Sequence, residues 1–253
     1  MPDQNYAARF EATRLIRRYG LTEPDQIVLA DIAYDLGVKI KTGATSGAEA
    51  WLFRKGNKGI IRVRDDIREG GRRRFAIAHE LGHWQCHSSR SQFWVCSSQN
   101  MQAYWASREE SEANTFAAEL LMPKAMLCPR LEGKQLSVRL FCDLAQEFDT
   151  TLTATAIRVV EEVKEDCCVI FSYNNVVQWH RQSSTGFNFY LPPKFSLHED
   201  SFAADCGRSP SRTTGPKPVP TESWNIKRRD VEVWEESVVL GDYGTTLTLL
   251  NFC

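Results

Sequence analysis

Apolar side chains recur at helical spacing along residues 6–20, with Phe10, Leu15 and Ile16 on the inward face. A second run, Ile27–Leu36, stops at Gly37, the residue type best suited to end a helix. The pattern then shifts toward alternation. Val38–Lys41 reads as a short strand, and Glu49–Arg54 and Lys58–Arg64 flank Lys55-Gly56-Asn57 as a hairpin would. A helix follows from about Arg72 to His87, then a loop of mixed polar and aromatic residues over 87–106. The next helix spans about Arg108–Leu121 and stops before Pro123, because the residue preceding a proline avoids helical backbone. Two more helices lie near Lys134–Phe148 and Leu152–Val163, the second capped by Thr150 or Thr151.

Beyond about residue 165 the chain becomes strand-like. Cys168–Tyr173 and Val176–Arg181 flank Asn174-Asn175, a pair that tolerates the positive φ of a tight hairpin turn. Phe187–Leu191, Val231–Leu240 and Thr245–Phe252 read as further strands. Gly207–Glu222 has one apolar side chain, Val219, among turn formers and reads as a mobile surface loop. The expected fold class is α+β. An N-terminal domain over 1–165 carries a small antiparallel sheet, and a smaller β-rich domain over 166–253, sensory or regulatory in role, follows it.

At 253 residues the chain is long enough to bury a core without staples. Thirty-one Lys and Arg balance 32 Asp and Glu, so bulk charge does not argue for nucleic-acid packaging or a polybasic membrane binder. No apolar run approaches a membrane span, and the first twenty residues lack the apolar core of a secretory signal. Eight cysteines contain no CxxC pair, which leaves a zinc ribbon or thioredoxin motif unsupported. These features together make a soluble, cytoplasmic chain with reduced thiols the expectation.

The chemistry begins at His79-Glu80-Leu81-Gly82-His83. On a helix the two histidines share one face, about 5–6 Å apart at Cβ, a spacing at which two imidazoles grip one zinc ion. Glu80 is rotated by about 100° and flanks the metal as a general base must. Gly82 leaves room on the ligand face for another element. Two structural histidines on a helix would share this pattern, so a third ligand carries weight. In the downstream helix Glu110 falls on the same stripe as Ala113, Asn114, Ala117 and Leu121, where an unpaired carboxylate is costly. Glu109 borders that stripe and is not excluded by geometry. Glu112 and Glu119 face away and read as solvated. Asn114 is placed to accept the second N–H of a ligating histidine. His87 lies about 12 Å along the helix from His79, too far to share the ion, and reads as a helix-terminal or loop-bonding histidine.

The two segments RRRFAIAHELGHWQCH and EESEANTFAAELLMP resemble the ImmA/IrrE family of zinc peptidases, with similarity over about residues 6–165. The resemblance implies a zincin-like fold, one zinc ion (with manganese as an in vitro substitute) on His79, His83 and Glu110, and Glu80 as the base. It also implies cleavage of a helix-turn-helix repressor that turns on stress, mobile-element or defence genes. Some family members, including the CapP type beside phage-defence operons, carry extra C-terminal modules. The rival reading is a zinc-fold sensor that binds a repressor or DNA and releases a promoter without cleavage; the intact Glu80 argues for the enzyme.

Weaker signals surround this centre. Nine basic residues against three acidic ones lie between Arg54 and Arg74. A solvated face is the simpler reading; the functional one is a patch of Arg62, Arg64, Arg72, Arg73 and Arg74 for substrate or for nucleic acid as activator. The strand Lys58–Arg64 is a candidate edge for an extended substrate, and Tyr104 a candidate oxyanion donor. Cys96, in the segment joining the two ligand helices, is a candidate inhibitory zinc ligand, with Cys86 the next thiol in line.

Overall fold

The structure, a computed structural model, describes residues 5–45, 47–87, 93–97 (backbone), 107–185, 189–206, 213–228, 230–241 and 244–253. By its contacts the chain forms two compact units, Met1–Pro129 with Ala145–Thr151, and Arg130–Leu144 with Leu152–Cys253. The change of sequence pattern near 165 falls inside the second of these.

The first unit opens with helix α1 (Tyr6–Arg18), whose buried face is Ala8, Ala12, Leu15 and Ile16. Phe10, expected inward, is 52% exposed. The seam is lined by small residues, and a phenyl ring at position 10 falls off the Ala8–Ala12–Leu15 stripe. Helix α2 (Leu29–Asp35) ends at Leu36, and Gly37 follows at φ 78°. A Cβ there would lie 2.6 Å from the Asn57 carbonyl oxygen, so the tight approach also requires glycine.

Strands β1 (Val38–Thr42), β2 (Ala48–Lys55), β3 (Lys58–Val63) and β4 (Phe93–Ser97) form a sheet in the order β1-β3-β2-β4. The β2–β3 hairpin matches the sequence reading. The sheet is mixed rather than purely antiparallel, because β1 pairs parallel with β3. The hairpin turns β3 back alongside β1, which enters from α2 in the same direction. Two further expectations change here. Lys58–Arg64 cannot offer an edge, since β3 is paired on both sides. Part of the expected 87–106 loop is β4, an antiparallel partner of β2 with Cys96 opposite Ala50.

Helix α3 (Gly70–Cys86) packs on β2 and β3 and on the next helix, α4 (Arg108–Leu121). Every residue from Ala76 to Trp84 is buried, so the middle of α3 is a core helix rather than an amphipathic surface one. Helix α5 (Lys124–Leu131) starts directly after Pro123, whose carbonyl accepts from Met126 and Leu127. Proline ended α4 as expected, but the same residue also opens a helix well, and the sequence reading missed that second use. Helices α6 (Val138–Glu147) and α7 (Leu152–Glu162) agree with expectation to within a few residues.

The second unit is built on a five-stranded antiparallel sheet in the order β6-β5-β9-β8-β7. Strands β5 (Cys167–Tyr173) and β6 (Val176–Gln182) turn through Asn174 and Asn175, both at positive φ. Strand β8 (Val233–Leu240) and β9 (Thr245–Phe252) lie where expected. Helix α8 (Phe202–Cys206) and the core residues Cys168, Ile170, Leu191, Trp224 and Leu250 cover one face. Two expectations fail. Phe189–Leu191 is not strand, and the remainder of that predicted segment lies outside the described residues. The predicted mobile loop contains β7 (Thr213–Val219), paired with β8. Its prolines, which signalled a loop, are tolerated because β7 is an edge strand whose register slips between Thr214 and Lys217.

Candidate metal centre

The centre is made where α3 and α4 touch. Gly82 allows the approach: a Cβ on it would sit 2.9 Å from Ala113 Cα and 3.0 Å from its carbonyl oxygen. The room foreseen at Gly82 is filled by the backbone of α4. Ser107 caps α4 by accepting from the Glu110 amide at 3.3 Å, which sets Glu110 in the first turn, facing α3.

Here His79, His83 and Glu110 come together. The two Nε2 atoms are 3.1 Å apart, and the Glu110 carboxylate stands 3.2 Å from His79 Nε2 and 3.5 Å from His83 Nε2. Their ligand atoms all lie within 4.8 Å of one another, the group of described residues able to hold a metal ion. Glu110, not Glu109, completes it. Both histidines are buried and Glu110 nearly so.

The donor set fits a cation. His79 Nδ1 is 2.9 Å from Asn114 Oδ1. With the amide oxygen so placed, His79 Nδ1 carries the proton and its Nε2 presents a lone pair to the centre. His83 Nδ1 is likewise engaged, 3.0 Å from His87 Nδ1. Two imidazole lone pairs and a carboxylate pointed at one spot repel each other unless a positive charge lies between them.

Electrostatics reflect the crowding. Burial lowers the proton affinity of His83, to a pKa of about 4, against the opposing pull of the nearby Glu110 carboxylate. Burial also pulls His79 down, but Glu110, Glu80 and Asn114 together push it above the ordinary histidine value. Burial would raise Glu110, yet the adjacent His79 and His83 rings hold it well below the usual carboxylate range. Glu80 is 1% exposed, one position past His79, and its charge is among those acting on that ring.

Two carboxylates expected to be solvated are not. Glu112 Oε2 lies 2.9 Å from His87 Nε2, and its other oxygen accepts from Arg108 Nε at 2.8 Å. Glu119 is buried and accepts from the Lys124 amide at 3.1 Å, which caps α5. Helical-wheel reasoning placed both outward because it took α4 alone, whereas the ends of α1, α3 and α5 converge on it. His87 is helix-terminal as expected, and among the described residues it contacts His83 and Glu112. The signal that could have found this was the repeated spacing His79, His83, His87.

Several arginines of the basic run make contacts within the protein, although Arg72 stays exposed. Arg72 pairs with buried Glu49, Arg64 with Asp66, and Arg74 with Asp149 at 3.4 Å while donating to the Ile27 carbonyl at 3.2 Å. Arg73 bonds Thr42 Oγ1 at 2.7 Å, and Arg62 sits on β3 between Lys41 and Trp51. Burial raises the Cys86 thiol to about 12, the profile of an inert cysteine. The side chain of Cys96 and all of Tyr104 lie outside the described residues.

Fold and site define an α+β protein whose buried two-histidine, one-carboxylate group can hold a metal ion at a helix crossing. The family model described as Peptidase M78, IrrE N-terminal-like domain, matches residues 34–160, and the chain belongs to this family. Among solved structures, a Mycobacterium tuberculosis transcriptional regulator is similar in fold, with a TM-score of 0.59 at 15% identity, over 98% of this chain and 88% of that one. Among curated proteins, none matches the chain. No helix among the described residues is long and apolar enough to cross a membrane.

Proposed function

We propose that the protein is a cytoplasmic, zinc-dependent endopeptidase that cleaves a helix-turn-helix transcriptional repressor and so derepresses stress or phage-defence genes. The observation that carries the enzymatic reading is Glu80: a carboxylate buried beside the metal group, where a purely structural site has no need of one. Family membership supports peptidase chemistry, and a ligand set of two imidazoles and one carboxylate suits zinc, with manganese a workable substitute in vitro.

Bound to His79, His83 and Glu110, zinc would polarise a peptide carbonyl and acidify a water. Glu80 accepts the proton of the attacking water and delivers it to the leaving nitrogen. Asn114 holds the His79 ring in its ligating tautomer. An extended substrate adds to the sheet at β4, which is paired only with β2 among the described strands. Nucleic acid as an activator draws less support, because Arg64, Arg72, Arg73 and Arg74 are bonded within the protein.

The test is to incubate the protein with its neighbouring helix-turn-helix repressor and zinc or manganese. Discrete repressor fragments, lost on chelation, are expected. Promoter release with an intact repressor would establish the non-catalytic sensor instead.

A further inference from the structure

We infer that His87 and Glu112 are positioning residues that hold the metal ligand His83 in its metal-binding tautomer, through a relay running Arg108–Glu112–His87–His83. The inference rests on the proposal that the His79–His83–Glu110 group binds zinc.

The direction of the relay follows from which atoms can donate. A carboxylate only accepts, so the 2.9 Å contact of Glu112 Oε2 with His87 Nε2 places a proton on that nitrogen. A neutral imidazole has one N–H, so His87 Nδ1 is then a bare lone pair. His87 Nδ1 lies 3.0 Å from His83 Nδ1, and one of the two must donate. Only His83 can. Its Nδ1 therefore carries the proton, and its Nε2 faces His79 Nε2 and Glu110 as a lone pair, which is the form that ligates.

Geometry makes the relay specific. Position 87 lies at the C-cap of α3, eight residues after His79 and four after His83, and the rings of His83 and His87 have centroids 5.1 Å apart. His87 is 5% exposed, so water does not readily replace its bond to His83. Glu112 is two residues beyond the ligand Glu110 on α4, and Arg108, one turn earlier, anchors its second oxygen at 2.8 Å. The helix pair thus supplies a ligand and the fixture of another ligand from the same turn of α4. Asn114 does for His79 what His87 does for His83, but with an amide.

The test reads metal affinity by chelator competition on the purified full chain, and the absorption spectrum of the cobalt-substituted protein, with folding followed by circular dichroism. His87→Ala should weaken zinc binding about 10–100-fold, the range for loss of such an outer hydrogen bond, and alter the cobalt spectrum. His87→Gln should recover much of that loss, because its amide oxygen can accept from His83 Nδ1. Glu112→Ala should weaken binding less than His87→Ala, and the double variant no more than His87→Ala alone, since both act through one chain of bonds. Affinities within twofold of wild type in His87→Ala, or fully additive losses in the double variant, would overturn the relay. Should His87→Ala unfold, Glu112→Ala decides: unchanged zinc affinity and cobalt spectrum refute it. A wild-type chain that binds no zinc would instead remove the metal reading on which the relay rests.

Discussion

At residue scale the centre separates into groups that could hold a metal and one that would move a proton. Glu80→Gln removes only the acceptor, so metal content and fold should persist while repressor cleavage drops by about 100-fold or more. Metal analysis beside a cleavage assay decides; substantial residual cleavage by the loaded variant would take Glu80 out of the base role. Glu110→Ala should lose zinc far more than Glu109→Ala, because the Glu110 carboxylate lies within 3.5 Å of both imidazoles and Glu109 is not in the group. Equal zinc retention in the two would sink the assignment.

The element that makes the site is the α3–α4 crossing, and its weakest tolerance is at Gly82. A methyl group there meets Ala113 backbone at 2.9–3.0 Å, tighter than carbon atoms normally approach. Gly82→Ala should therefore push the helices apart, lower stability by about 1–3 kcal/mol as overpacking does, and weaken zinc binding at the same time. Thermal melts with and without zinc would show it. A variant with unchanged melting and affinity would mean that the crossing yields more easily than a packed core. In the β-sheet unit, Glu235 of β8 is the comparable pressure point. It is fully buried; Oε1 accepts from the Ala203 amide at 2.6 Å and Oε2 from Trp224 Nε1 at 2.9 Å. Burial raises its pKa against these bonds. Glu235→Gln must turn an NH₂ toward one of the two N–H donors, so it should destabilise by about 1–3 kcal/mol in denaturant melts. Wild-type stability in that variant would show that the network can rearrange.

Across the whole molecule, a metal that binds the folded chain and not the unfolded one stabilises it by mass action. Free zinc at about 100 times its dissociation constant would add about 2.7 kcal/mol. Chelation should therefore lower the melting temperature of the wild-type chain, and much less that of Glu110→Ala. Identical shifts in the two proteins would mean that chelator acts elsewhere than at this centre.

Much of this protein was legible in sequence because the signals are local. Helix periodicity, the Gly56-Asn57 and Asn174-Asn175 turns, the HExxH spacing and the apolar stripe bearing Glu110 each depend on a few neighbouring residues. They located α3, α4, two hairpins and the three residues that could hold a metal ion. What escaped depends on which elements meet. No local rule says that β3 lies inside its sheet, that a proline-bearing segment is edge strand β7, or that Phe10 falls off a seam of alanines. Glu112 and Glu119 read as solvent-facing on an isolated helix; Glu119 is buried and Glu112 largely covered only because neighbouring helices pack against α4. His87 shows the division most clearly. Its spacing from His83 was visible along the chain, but the contact of its far nitrogen with Glu112 exists only because α4 packs against the end of α3.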